Sequence, residues 1–424
     1  MKRDDGHTAS IGRSRRILGA LGRVFLGLLL GFVVAEIGSR IYLALPADPD
    51  TANFVPDPLA EFRIRPDRPE EVEDPEDHFN QLGVRGREHA VEKPPHTFRV
   101  LGIGDSFVFG SVPMRDNFLR VLERESNTDG FASRDTLEVI PLGVPGYNPP
   151  HYLGILKSVG LSLDPDLVLV FFFVGNDVTG LPVHGRVYRG ELYYVGSSSR
   201  WLSLARRSRF LMLAETALLR TLKKMHDTGE EVSSGAETSA AETSPGVEAS
   251  VGTEAARGTS STLTPEDSAL GSVAASPEPS WPYLVFQRKR LPIYADPPQK
   301  DVLALWEEAE QYLLEIDRVC RDHDVPWVLV AIPSEIQLDV EVRKATLAAL
   351  GRSEDDYDFG APQARLSEFC VQSGIEYVDL LPALRDAAPE YGPLYIPNNT
   401  HWNVEGNDVV GRRLVAVVER HRRN

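Results

Sequence analysis

LGIGDSFVFG, residues 101–110, joins an apolar segment to a Gly-Asp-Ser bend and then returns to apolar residues. The run FRVLGIG (98–104) predicts a strand buried on both faces, because its apolar stretch is continuous rather than alternating. Such a strand would bring Asp105 and Ser106 to the carboxyl edge of a sheet, where open α/β folds bind their ligands. At this bend a serine can attack a carbonyl group, or it can simply cap the next helix. Asp105 is expected to hold the turn by accepting backbone N–H groups.

Four further apolar runs predict strands of the same sheet. They are LEVIPLG (137–143), LVLVFFFVG (167–175), PWVLVAIP (326–333) and IEYVDLL (375–381). Helical patterns lie between them, the clearest over 301–321 and from about 405 to 421, with Asn403 as the expected N-cap of the second. Alternating strands and helices imply a parallel sheet with helices on both faces.

The charge of the chain is uneven. The 424 residues carry a formal net charge of −17, which argues against a nucleic-acid partner. Residues 227–278 contain ten acidic residues, one basic residue and no aromatic residue. Such a composition cannot bury enough apolar area to offset its ordering entropy, so a disordered insertion is predicted over 227–281. A solvated spacer is the favoured role, with an acidic binding tail as the alternative.

The N-terminus has the pattern of a membrane signal. Six basic residues precede or flank the uncharged run VFLGLLLGFVVA (24–35): Lys2, Arg3, Arg13, Arg15, Arg16 and Arg23. Residues 17–45 reach spanning length if Arg23, Glu36 and Arg40 lie near the edges. We therefore predict a cytoplasmic tail (1–16), a transmembrane signal anchor (17–45) and an extended leader (46–96). A cleaved signal peptide and a buried globular helix are the alternatives.

Three later motifs follow predicted strands or precede the last helix. LGVPGYNPP offers Gly143 or Gly146, whose backbone N–H could approach an oxyanion without steric interference. FVGNDV offers the side-chain amide of Asn176 as a second donor, and PNNTHWNVEGN places His401 just before the last helix. Together with Ser106 they supply a nucleophile, a base and oxyanion donors.

This set of residues, in this order, resembles the GDSL/SGNH hydrolase superfamily, over roughly residues 80–180 and 300–420. The resemblance implies a flavodoxin-like three-layer α/β/α fold with a mostly parallel sheet of about five strands, divided here between 97–226 and 282–424. It implies that Ser106 is the nucleophile and His401 the base. It also implies an oxyanion hole made by the N–H groups of Ser106 and Gly146 and by the side chain of Asn176. No metal or cofactor is implied.

One departure from the superfamily concerns the residue that orients the histidine. An aspartate usually stands two or three positions before it, but this chain has Asn399 and Asn398 there. Replacing that aspartate by an amide can cost about 10⁴ in rate by favouring the wrong imidazole tautomer, although Cys-His-Asn proteases use an asparagine. Asp379, at the end of the fifth predicted strand, and Glu405, in the last helix, are the other candidate orienters.

The N-terminal pattern and the resemblance together predict an exported, single-pass membrane-anchored serine esterase whose catalytic domain lies outside the cytoplasm, in the periplasm or at the cell surface. The resemblance implies a carboxylic ester as substrate, with O-acetylated carbohydrate among the candidates, and the N-terminal helix implies the membrane as a partner. One alternative is an O-acyltransferase that modifies a cell-surface polysaccharide, since the T-H-W motif is similar to that of alginate-type O-acetyltransferases. The other is a noncatalytic SGNH-like binding protein.

Overall fold

The structure, a computed structural model, describes residues 5–47, 52–66, 74–128, 135–181, 183–195, 204–218, 221 and 278–423. The predicted insertion at 227–281 lies almost entirely outside these residues. The strands are β1 Phe54–Asp57, β2 Glu61–Ile64, β3 Thr97–Gly104, β4 Thr136–Gly143, β5 Leu167–Phe173, β6 His184–Tyr188, β7 Glu191–Val195, β8 Trp327–Ile332 and β9 Glu376–Asp379. The helices include α1 Asp5–Ala44, α2 Ser106–Phe109, α3 Phe118–Ser126, α4 Pro149–Ser158, α5 Trp281–Arg290, α6 Lys300–Asp322, α7 Glu335–Leu338, α8 Val340–Ala349, α9 Ala361–Ser373, α10 Leu381–Tyr391 and α11 Val404–Arg422.

The five predicted strands form one parallel sheet in the order β4-β3-β5-β8-β9. Numbered along the chain, this is the order 2-1-3-4-5 of flavodoxin-like sheets. All six residues of β8 and all seven of β5 are buried, as expected of strands that are covered on both faces. The fold prediction is confirmed.

Helices cover both faces of the sheet. Helices α4, α6 and α9 pack on one face and α3, α10 and α11 on the other, and each set shares a hydrophobic core with alternate residues of the strands. The long helix α6 packs on the sheet through one apolar face. The buried residues of this face recur at helical spacing: Val302, Trp306, Ala309, Leu313, Ile316 and Cys320. The C-terminal helix α11 begins as predicted, since the Asn403 side chain accepts the N–H of Gly406 at 2.9 Å.

Two antiparallel hairpins lie outside the main sheet. Strands β1 and β2 pair within the predicted leader, and β6 pairs with β7. Phe62 of β2 is fully buried and meets the Tyr147 ring edge-on at 5.2 Å between centroids. The leader thus contributes to the hydrophobic core rather than only connecting two parts of the chain.

Helix α1 has the length and composition of a membrane span over Gly19–Ala44, with a mean hydropathy of 2.0 and no buried residue in its apolar window. A signal sequence meets the same criteria. Its C-terminal end contacts the rest of the chain: Leu43 packs with Tyr193 and Met212. The Glu36 carboxylate accepts the Ser208 hydroxyl at 2.7 Å.

Candidate active site

Ser106 and His401 meet at the carboxyl edge of the sheet although 295 positions separate them in the chain. Ser106 begins α2 directly after β3, and His401 lies in the loop before α11. The Ser106 Oγ and His401 Nε2 atoms are 2.7 Å apart, which is a hydrogen-bond distance. A hydroxyl nucleophile and its general base require a contact of this kind.

Asn399 sets the tautomer of His401. Its Oδ1 atom accepts the backbone N–H of His401 at 3.2 Å and lies 2.7 Å from His401 Nδ1. Because a backbone N–H points at this atom, it is the amide oxygen and not the nitrogen, so Nδ1 carries the proton. Nε2 then presents its lone pair to Ser106. The asparagine therefore holds the imidazole in the tautomer that a general base requires, as the aspartate of a Ser-His-Asp triad does.

The other three candidate orienters lie elsewhere. Asn398 binds the chain ahead of α5: its Oδ1 accepts the Ser280 N–H at 2.6 Å and its Nδ2 donates to the Glu278 carbonyl at 3.2 Å. Asp379 accepts the N–H of Leu381 at 2.9 Å, close to the start of α10. Glu405 is exposed in the first turn of α11.

Asp105 connects the serine turn to Asn176. Its Oδ1 accepts the Phe107 N–H at 3.0 Å, which caps α2 as expected of a turn residue. Its Oδ2 accepts from Asn176 Nδ2 at 3.1 Å. A side-chain amide has two N–H donors, so one hydrogen fixes the orientation of Asn176 while the other remains for a further acceptor.

Asp177 holds the loop that carries Asn176. Its two carboxyl oxygens lie 2.9 Å from the Tyr152 hydroxyl, and the Phe173 N–H donates to Oδ2 at 2.9 Å. Burial and the nearby Asp105 raise the pKa of Asp177 well above its ordinary value. These bonds tie the loop after β5 to α4.

The structure requires glycine at Gly143 and at Gly146 for different reasons. A Cβ on Gly143 would lie 2.5 Å from the Phe109 nitrogen, so this glycine lets α2 pack closely against β4. Gly146 has φ +81°, a conformation that favours glycine. A Cβ there would lie 2.5 Å from the Tyr194 hydroxyl of β7, so the β6–β7 hairpin borders this loop.

His401 lies in an apolar and positively charged setting. Its ring is 5.0 Å from that of Phe107 between centroids. Burial and, to a smaller extent, the positive charge of Arg290 lower the pKa of His401 to about 3. Arg290 is buried on α5 with its guanidinium carbon 5.1 Å from the centre of the Phe173 ring. Arg290 is not among the residues that the motifs pick out.

Comparison with known proteins gives only distant structural matches. No family model matches the chain, and no curated protein matches it. Among solved structures, the chain is similar to an acetyl xylan esterase, AlAXEase, with 13% identity, a TM-score of 0.37 and coverage of 76% of this chain and 99% of that one. It is also similar to a catalytic mutant of the acetylxylan esterase Axe2 from Geobacillus stearothermophilus, with 11% identity, a TM-score of 0.35 and coverage of 76% of this chain and 93% of that one. A third match is a GDSL-like lipase from Bacteroides thetaiotaomicron, with 10% identity, a TM-score of 0.32 and coverage of 76% of this chain and 88% of that one. At such values the chemistry of the site rests on its own geometry.

Proposed function

We propose that this chain is a serine ester hydrolase of the GDSL/SGNH superfamily. The observation that carries the proposal is the continuous hydrogen-bonded chain from Asn399 through His401 to Ser106. His401 Nε2 takes the hydroxyl proton while Oγ bonds to the ester carbonyl carbon. Collapse of the tetrahedral intermediate breaks the ester C–O bond, and His401 returns the proton to the leaving alcohol. Water, deprotonated by the same imidazole, then releases the acid and restores Ser106.

The negative charge of the tetrahedral intermediate needs donors at the same edge of the sheet. We assign this role to the N–H groups of Ser106 and Gly146 and to the second side-chain N–H of Asn176. The loops that follow β3, β4 and β5 supply one donor each, and these strands are neighbours in the sheet. The bond to Asp105 holds the Asn176 amide before the charge develops. Such preorganised donors stabilise the transition state more than water would.

The Asn176→Ala variant is expected to lower kcat for ester hydrolysis by about 10² to 10³, the range for loss of one oxyanion donor. KM should change less, because the donor acts mainly on charge that develops in the transition state. Initial rates over a range of ester concentrations separate the two constants. Asn127→Ala, which removes an exposed amide that binds Leu137 away from the site, is the matched control. An unchanged kcat in Asn176→Ala would remove Asn176 from the oxyanion hole.

The acid limb of kcat/KM against pH is expected to lie at least about one pH unit below the ordinary histidine value of about 6.5. The lowered pKa of His401 keeps the imidazole neutral, and so active as a base, as the pH falls. An Asn399→Asp variant places a negative charge beside Nδ1, which raises the histidine pKa and moves the acid limb upward. The pH profiles of both proteins are measured with one ester. An acid limb at or above pH 6.5 in the unsubstituted protein would contradict the assignment.

The N-terminal helix supports a membrane-anchored enzyme. The span Gly19–Ala44 is long and apolar enough to cross a bilayer. The basic residues that precede it favour retention of the N-terminus in the cytoplasm. In this arrangement the hydrolase domain lies outside the cytoplasm, with the enzyme held at the membrane.

Hydrolysis and acyl transfer share the acyl-enzyme, so the acceptor distinguishes them. The experiment uses an ester labelled in its acyl group, with and without an added oligosaccharide. For a hydrolase, free labelled acid forms at the same rate in both cases. Capture of the label by the oligosaccharide, with a matching loss of free acid, would show an O-acyltransferase instead.

A further inference from the structure

Four polar side chains gather beside the catalytic residues without taking part in the chemistry described above. Tyr283, Gln287 and Arg290 recur at positions i, i+4 and i+7 of α5 and so share one helix face. Glu335, the first residue of α7, faces them. All four are at least nine-tenths buried, with exposed fractions of 2%, 0%, 3% and 7%. We call them the buried polar cluster.

The buried polar cluster has hydrogen-bonding capacity to spare. Among the described residues, the Tyr283 hydroxyl, both polar atoms of the Gln287 amide and the Glu335 Oε2 atom are buried without a hydrogen-bond partner. The Tyr283 hydroxyl lies beside Glu335 and favours its carboxylate form. Burial nevertheless raises the pKa of Glu335 to about 7. Native proteins rarely keep several such atoms together unless water or a ligand binds them.

The buried polar cluster is in contact with the catalytic residues through aromatic rings. The Arg290 guanidinium lies over Phe173, whose ring is 4.7 Å from that of Phe107 between centroids. Phe107 in turn packs against His401 at 5.0 Å. Asn398 fixes the chain just before α5 to the loop that carries His401. Glu335 lies beyond the end of β8, at the same edge of the sheet as Ser106.

The position of the cluster indicates which part of the substrate it meets. His401 must return a proton to the oxygen of the leaving alcohol, so the alcohol portion lies on the histidine side of the scissile bond. Helix α5 lies on that side as well, because Asn398, three residues before His401, bonds to the chain that leads into α5. The buried polar cluster therefore faces the alcohol portion of the ester.

The composition of the cluster favours neutral hydroxyl groups. An alkyl group would leave the buried amide and hydroxyl unpaired. Glu335 and Arg290 place groups of opposite charge in the same cluster, so the cluster as a whole matches neither an anion nor a cation. A hydroxyl group both donates and accepts, as the amide of Gln287 and the hydroxyl of Tyr283 do. We propose that the buried polar cluster is a subsite for hydroxyl groups on the alcohol portion of the ester. This inference rests on the proposed ester hydrolysis and specifies its substrate class.

The test compares two acetate esters of three-carbon alcohols, glycerol 1-acetate and propyl acetate. The unsubstituted protein is expected to prefer the glycerol ester in kcat/KM. In Gln287→Leu and in Tyr283→Phe, the ratio of the two kcat/KM values should fall about tenfold, since each variant loses one hydrogen bond to the substrate. Because the ratio is taken within one preparation, partial loss of folded protein cancels.

Tyr377→Phe is the matched control, because its hydroxyl is also buried without a partner among the described residues but lies on β9. This variant should keep the ratio of the unsubstituted protein. A ratio unchanged in both Gln287→Leu and Tyr283→Phe would overturn the subsite. If neither ester is hydrolysed in a Ser106-dependent manner, the proposed function fails and the subsite with it.

Discussion

Replacing Ser106 by alanine is expected to lower kcat for ester hydrolysis by about 10⁶, the loss measured when a serine nucleophile is removed from a complete triad. The reason is that Ser106 supplies the hydroxyl that forms the acyl-enzyme, and His401 Nε2 lies 2.7 Å from its Oγ. The measurement is the initial rate with a chromogenic ester, with the amount of folded protein determined by circular dichroism.

Ser126→Ala is the matched control for this experiment. Its hydroxyl is buried on α3 and has no partner among the described residues, so its loss should leave the rate within a factor of about two. If Ser106→Ala retained a tenth or more of the rate while folded, Ser106 would not be the nucleophile. The Gly-Asp-Ser turn would then have only the capping role that Asp105 performs at the start of α2.

Replacing His401 by alanine is expected to lower kcat by about 10⁴ to 10⁶, because the hydroxyl then has no base. The double variant Ser106→Ala with His401→Ala should be hardly slower than either single variant. Residues that act as one unit lose their whole contribution when either is removed. The measurement is again the initial rate of ester hydrolysis for the three proteins.

His184→Ala is the control for loss of an imidazole, since His184 is an exposed residue of β6 that pairs with Glu61 at 2.9 Å. It should retain the activity of the unsubstituted protein. Losses that simply multiply in the double variant would show that Ser106 and His401 contribute independently. That result would refute a hydroxyl activated by this imidazole.

The sheet could be predicted from the sequence because its strands are apolar throughout. LVLVFFF in β5 and WVLVAI in β8 are buried on both faces, so no alternation obscures them. Placing Ser106 and Asn176 at the same edge then follows from the parallel direction of the strands. The hairpins were not predictable in this way, since β1 and β2 have four residues each and are held by contacts with Tyr147 and its neighbours.

The sequence limits the residue that orients His401 to four candidates, but it does not identify which of the four does so. Asn398 and Asn399 are adjacent in the sequence, and the choice depends on the backbone: Asn398 has φ +56°, and the Asn399 N–H binds the Ile396 carbonyl at 2.9 Å. This turn directs Asn399 toward His401 and Asn398 toward the chain before α5. Spacing in the sequence contains no information on that turn.

The burial of the polar cluster could not be predicted from the sequence. WPYLVFQRKR in α5 has no clear apolar periodicity, because polar residues at 283, 287 and 290 occupy its buried face. The spacing is a signal of a shared face, but it does not tell an exposed face from a buried one. Only the packing of α5 against the end of β5 and the His401 loop distinguishes the two.

Mass spectrometry of the protein after treatment with a fluorophosphonate tests the central claim most directly. The reagent bonds covalently to a serine only when a neighbouring base activates its hydroxyl. We expect a single adduct on the peptide that contains Ser106, with none on the Ser106→Ala variant and none on His401→Ala under the same conditions. Absence of an adduct from the folded, unsubstituted protein, or an adduct on another serine, would contradict a catalytic serine activated by His401.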